Sequence, residues 1–195
     1  MEIIERGTTM KAILMSIKPQ HVAKILNGEK TLEIRKTIPQ EYLDYCIDSD
    51  KKVPIDVYIY CTKKEPYARR YVHNDKWGTL EYIKSDGKVV AKFTLNKVGN
   101  FLKEVFGTYE EPFSRDQDEL LKKSCLTEKE LDNYLKGKKG YAWHIDNLVV
   151  FEKPKEISEF YKPSWAKVRY KTMREEQAKQ YLLTRAPESW CYIEV

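Results

Sequence analysis

Three side chains able to hold a polar ligand stand close together near the start of the chain. They are Lys30, Glu33 and Arg35, in Gly28–Glu29–Lys30–Thr31–Leu32–Glu33–Ile34–Arg35. Thr31 to Arg35 alternate strictly, so a strand here turns Leu32 and Ile34 one way and Thr31, Glu33 and Arg35 the other. Glu33 and Arg35 then share a face and can fix one another as an ion pair. Gly28 permits a sharp turn that delivers Glu29 and Lys30 to the mouth of that strand. A guanidinium can fork onto a phosphate or a base edge, a carboxylate accepts from an exocyclic amine, and an ammonium supplies charge or a proton. The pattern suits a polar, planar ligand. A solvated strand with an ordinary cross-face pair has the same spacing.

Other residues add to this set. Tyr58, Tyr60 and Thr62 alternate along Ile55–Thr62, where a tyrosine can stack on a base and Thr62 can hydrogen-bond it; tyrosines are equally common as plain sheet residues. Lys63, Lys64, Arg69 and Arg70 are interleaved with Tyr67 and Tyr71, a basic and aromatic mixture that suits phosphates of a single strand, or a solvated loop. Lys136, Lys138 and Lys139 around Gly137 can add phosphate contacts or complement the negative end of a helix. His144 and Asp146 share a face, but no serine or cysteine is placed to complete a triad, so a structural histidine is expected.

These residues need elements to position them. Lys11–Ile17 reads as a buried strand, and Pro19 suits the first turn of a helix carrying Val22, Ile25 and Leu26, which Gly28 caps. Ile55–Thr62 and Lys88–Leu95 read as strands, the second after a Ser85–Asp86–Gly87 turn, with an inserted loop or hairpin over 63–84. A polar helix is expected around Gln117–Lys123. Thr127 and Glu130 form a capping box for a second short helix that ends at Gly137. Tyr141–Phe151 reads as one strong strand closed by Pro154, followed by a helical stretch near Met173–Leu183 and a last strand over 190–195. Too few helices separate the strands for a doubly wound fold. The order predicts an α+β domain: a curved, mixed or antiparallel sheet, closed or nearly so, with flanking helices.

Composition sets the outer limits. The 195 residues fit one domain, and 42% hydrophobic with 33% charged residues describe a soluble globular class. Thirty-five Lys and Arg against 30 Asp and Glu give +5, compatible with a phosphate-rich partner. Cys46, Cys61, Cys125 and Cys191 form no CxxC pair and lie far from the three histidines, which argues against structural zinc. Neither a metal nor a cofactor is expected. No apolar run reaches the roughly 20 residues of a membrane span, so no membrane partner and a reducing, cytoplasmic location are expected. Residues 1–9 read as an unpatterned leader, with Met10 a possible internal start. The oligomeric state is not readable.

Residues 10–39, MKAILMSIKPQHVAKILNGEKTLEIRKTIP, resemble the opening of the ASCH domains, relatives of the PUA-like β-barrels. Their helix followed by G-x-K-x-x-E-x-R is matched by Gly28, Lys30, Glu33 and Arg35. VYIYCT, KVVAKFTL and LTEKELDNYLKGKKGYAWHIDNLVVFEKP resemble the family's later strands, and APESWCYIEV resembles the ending of phage and prophage members. The resemblance spans about residues 10–155, with 156–195 a C-terminal extension expected to pack on the same domain. It implies a PUA-like β-barrel that binds RNA or a modified nucleoside or nucleotide in a cleft floored by Lys30, Glu33 and Arg35, to which the strand reading adds Tyr60 and Thr62 as ligand-binding candidates. One branch of the family consists of acetylcytidine amidohydrolases with a lysine, a threonine and a glutamate as catalytic set. Lys30 matches that lysine, Glu33 stands at the threonine position, and the family glutamate has no counterpart here. A metal-independent amidohydrolase acting on N4-acylated cytidine, with Lys30 and Glu33 catalytic, is therefore the alternative to binding. A phage-encoded protein-interaction module is the third reading. Glu33 beside Lys30 favours a charged lysine, suited to holding an anion or polarising a carbonyl.

Overall fold

The computed structural model describes residues 11–42, 54–63, 67–72, 79–101, 117–163 and 179–195. The expected leader over 1–9 lies outside them, as does most of the expected helix near Met173–Leu183; its end, Lys179–Tyr181, is a single 3-10 turn. The fold is mixed α+β. Strand β1 (Lys11–Ile17) leads into helix α1 (Pro19–Leu26), then β2 (Leu32–Arg35) and β3 (Ile55–Cys61). Strands β4 (Tyr67–Val72) and β5 (Thr79–Lys84) form a two-stranded antiparallel hairpin, which settles the loop-or-hairpin choice for 63–84. They are followed by β6 (Val89–Leu95), β7 (Val98–Phe101), helices α2 (Gln117–Ser124) and α3 (Glu128–Leu135), β8 (Gly140–His144), β9 (Asp146–Lys155) and β10 (Trp190–Glu194).

The larger sheet has the order β10-β1-β3-β6-β9, and a three-stranded sheet has the order β2-β8-β7. Only the β1–β3 pair is parallel among the described ladders. Among the described residues these sheets do not close into a barrel. A marked departure from the expected elements is at Tyr141–Phe151, which is two strands and not one. The chain pairs with β2 and β7 as far as His144, then crosses at Ile145 to pair with β6 from Asp146. Just past the crossing, Asn147 has φ 48 where the β6–β9 register shifts, and asparagine tolerates that left-handed region better than most residues. An apolar run records that most of the stretch is buried or half-buried, Asn147 and Val149 excepted. It cannot record that its two segments belong to different sheets.

The large sheet is covered on both faces. On one, α1 lays Val22, Ile25 and Leu26 over Ile13, Met15, Val57, Ile59 and Phe93, with Trp143 of β8 in the same cluster. On the other, Leu14, Tyr58, Tyr60 and Val89 meet Phe160, Leu183 and Ile193 from the C-terminal part of the chain. A third apolar cluster joins Leu32 and Ile34 of β2 to Leu120 of α2 and to Leu131 and Leu135 of α3. The alternation expected for residues 31–35 is realised: β2 fixes its two apolar residues beneath the helices and turns the charged ones away from that cluster.

Candidate functional site

The turn after α1 is built by hydrogen bonds that its sequence favours. Gly28 adopts φ +73 and donates to the Ile25 carbonyl at 2.9 Å, while the Glu29 N–H reaches the Lys24 carbonyl at 2.9 Å. This is the paired Schellman arrangement, in which a glycine accepts the left-handed backbone without a Cβ penalty. Lys30 follows with its own N–H on Lys24, and its side chain is driven inward until only 2% of the residue is exposed. Two neighbours make that burial tolerable. The Lys30 Nζ donates to the Ser124 carbonyl at 2.7 Å, at the C-terminus of α2, and lies 3.3 Å from Glu33 Oε2. A cation beside the last carbonyls of a helix is electrostatically favoured, because their unpaired oxygens carry partial negative charge.

Glu33 stands between two cations. Its Oε1 is 3.0 Å from Arg35 Nη2, and its Oε2 faces Lys30. Arg35 donates further to the Ser16 carbonyl at 2.9 Å and to Ser189 Oγ at 3.1 Å, while its Nε finds no protein partner. All three residues are more than nine-tenths buried, so the solvated-strand reading of the sequence does not hold. Burial alone raises the Glu33 carboxyl, but the Lys30 and Arg35 cations outweigh it and hold the group below its ordinary value. Glu33 is therefore an ionised acceptor. Two cations around one carboxylate leave one uncompensated positive charge in a site of low dielectric.

This triad forms the floor of a cleft of about 790 Å³. Helix α1 contributes Gln20 and His21, α3 contributes Glu130, Asn133 and Tyr134, and the segment before β10 contributes Glu188 and Ser189. The tail is tied to the floor at several points. Ser16 donates from its backbone to the Ser189 carbonyl at 2.9 Å and from its hydroxyl to the Pro187 carbonyl at 2.6 Å. Burial first, and the Lys30 cation second, push the His21 imidazole below its ordinary value, which favours a neutral ring. Burial raises the Tyr134 phenol against the pull of Arg35, so it too stays neutral. Tyr134 is the most open aromatic of the cleft, 38% exposed, with the Lys36 Nζ 4.7 Å from its ring centre.

The residues singled out in the sequence divide clearly. Lys30, Glu33, Arg35 and Thr62 line one cleft. Tyr60 does not. Alternation along β3 puts it with Tyr58 on the reverse face of the sheet, packed among Val89, Phe160 and Leu183. Thr62 escapes that alternation because β3 ends at Cys61. Lys63 is exposed and its stem lies against the Gly87 turn, where a Cβ would come within 2.7 Å of it, and it does not line the cleft. Lys64 is outside the described residues; Arg69 and Arg70 stand on β4, in register with Tyr82 and Glu81. His144 ends β8 opposite Leu32, and Asp146 accepts from Asn96 at 3.4 Å, so neither belongs to the cleft.

His21, Tyr134 and Ser189 were missed, although each had a faint signal. His21 stands next to the apolar Val22, Ile25 and Leu26 stripe of α1, and Tyr134 lies one turn after the capping residue Glu130, which places both on one side of α3. Nothing local marks Ser189. Among the described residues no group of three or more His, Cys, Asp or Glu is placed to hold a metal ion. No described helix is long and apolar enough to cross a membrane.

No protein-family model matches this sequence, and no curated protein matches it either. Solved structures do. The ASCH protein from Zymomonas mobilis superposes with a TM-score of 0.50 at 14% identity, covering 93% of this chain and 86% of that one. A mutant form of the same protein gives 0.51 at 14% identity, with 93% and 87% covered. This chain shares the fold of those ASCH proteins. At that identity the likeness reaches the ASCH fold and no further, so the chemistry of the cleft has to be argued from its own residues.

Proposed function

We propose that the cleft binds RNA or a modified nucleoside or nucleotide, with Lys30, Glu33 and Arg35 contacting the ligand. The observation that carries this reading is the buried floor: two cations locked around one carboxylate, with one positive charge left over, open to a cleft wide enough for a nucleoside. An anionic or strongly dipolar ligand is what such a floor favours. The exposed ring of Tyr134 offers a stacking face beside it. The resemblance of the G-x-K-x-x-E-x-R motif to that of ASCH domains, together with the shared ASCH fold, supports the same reading.

Hydrolysis of an N4-acylated cytidine is less well supported. Glu33 replaces the family threonine, and it is engaged by both cations. Of the two serine hydroxyls in the cleft, Ser16 donates to the Pro187 carbonyl and Ser189 accepts from Arg35. The test is direct titration with short single-stranded RNAs and with nucleosides at two salt concentrations, alongside an assay for release of acetate from N4-acetylcytidine. Salt-sensitive binding that is weakened in Arg35→Lys supports the proposal. Turnover abolished in Lys30→Ala would replace it with the enzymatic reading. Absence of both activities would leave an interaction module as the better account.

A further inference from the structure

The floor triad has an order as well as a charge. An ammonium and a guanidinium can only donate hydrogen bonds, and an ionised carboxylate can only accept them. Glu33 sits in the middle, with Oε2 toward Lys30 and Oε1 toward Arg35. What the floor presents is therefore donor, acceptor, donor. Capacity remains at each position. Lys30 has three N–H groups, of which Ser124 and Glu33 occupy two. Arg35 has five, of which Glu33, Ser16 and Ser189 occupy three. Each Glu33 oxygen accepts one hydrogen bond from a cation and keeps a further lone pair.

The common bases differ in the order their Watson–Crick edges offer. Cytosine and adenine both place a bare ring nitrogen at the centre, an acceptor that would face the Glu33 carboxylate. Guanine offers a central N–H but ends in an amine, a donor that would face a cation. Uracil offers carbonyl, N–H, carbonyl, and complements all three positions. We infer that the cleft recognises the imide edge of a uracil-type base, with the base N–H on Glu33 and its two carbonyls on Lys30 and Arg35. This rests on the nucleotide-binding reading and goes beyond it by naming the base. Selectivity follows from burial: a wrong edge leaves a desolvated donor or acceptor without a partner, or sets two acceptors against each other.

The experiment titrates the full chain with uridine, cytidine and 3-methyluridine, and with short oligouridylate and oligocytidylate as the polymeric source of the same edges. Uridine is expected to bind about tenfold or more tightly than cytidine, and methylation of its N3, which replaces the central donor with a methyl group, is expected to cost at least as much. Oligouridylate should exceed oligocytidylate in the same sense if the ligand is a strand. In Glu33→Gln the central group can both donate and accept, so the preference for uridine should shrink. Should that variant fold poorly, the comparison of uridine with the near-isosteric cytidine on the unaltered protein still decides. Equal affinity for uridine, cytidine and 3-methyluridine, lost in Arg35→Lys, would overturn the edge assignment and leave the binding cleft standing. Failure of every nucleoside and oligonucleotide to bind would overturn both.

Discussion

Replacing Glu33 by Gln tests the buried triad directly. The carboxylate joins two cations whose residues are only 2% and 7% exposed, so its removal raises the local charge from one to two with little water to screen it. Breaking a buried ion pair by removing one partner costs about 3–5 kcal/mol. Lys30 keeps the Ser124 carbonyl, and Arg35 keeps Ser16 and Ser189, so the lower end applies, about 3 kcal/mol. For a chain of this length that corresponds to a melting temperature lower by about 6–12 °C. Thermal and urea unfolding at neutral pH measure it. Removing Lys30 as well, in Lys30→Met, relieves the repulsion, so the double variant should lose less than the sum of the two single losses. The pH dependence has a definite sign. Because the folded-state carboxyl lies below the ordinary 4.5, its contribution is present above 4.5 and is lost as pH falls through the lowered value. The gap between the native chain and Glu33→Gln should therefore close in acid. A variant that melts within about 2 °C of the native chain, against the scale above, would refute the buried, charge-coupled triad.

Three further outcomes follow from the same geometry. Ser189→Ala removes a hydrogen bond to the Arg35 guanidinium and should weaken ligand binding about tenfold, with rescue by Ser189→Thr and no further loss in an Arg35→Lys background, measured by titration. Gly28→Ala meets no heavy atom within 4 Å of the new methyl, so only backbone strain remains, and it should cost about 1 kcal/mol in urea unfolding. Burial and its hydrogen bond to Glu41 push the Tyr192 phenol up to about 12, so the stabilisation it gives is intact below its ordinary value of 10.0 and lost as pH rises through about 12. Tyr192→Phe should therefore show a shallower loss of stability over that alkaline range than the native chain.

Much of the local structure was legible because it depends only on near neighbours. Gly28 at the end of an apolar 3.6-residue pattern specified the turn, and Thr127 with Glu130 specified a capping box that forms as expected, with Thr127 N–H 2.8 Å from Glu130 Oε2. Alternation through Thr31–Arg35 determined that Glu33 and Arg35 share a face. Such periodicity says which residues look the same way. It does not say what covers them. Tyr60 was misplaced for that reason: its face of β3 was known, but the layer of Phe160 and Leu183 over it comes from a distant part of the chain.

The tertiary structure alone decided the character of the site. The carbonyl that receives Lys30 belongs to Ser124, 94 positions away, and the hydroxyl on Arg35 belongs to Ser189, 154 positions away. Those long-range partners turn a charged strand into a buried triad, and burial is what gives the charges their strength. The sequence by itself determined the motif, its turn and its shared face; only folding brought α2, α3 and the C-terminal segment around it to make a cleft.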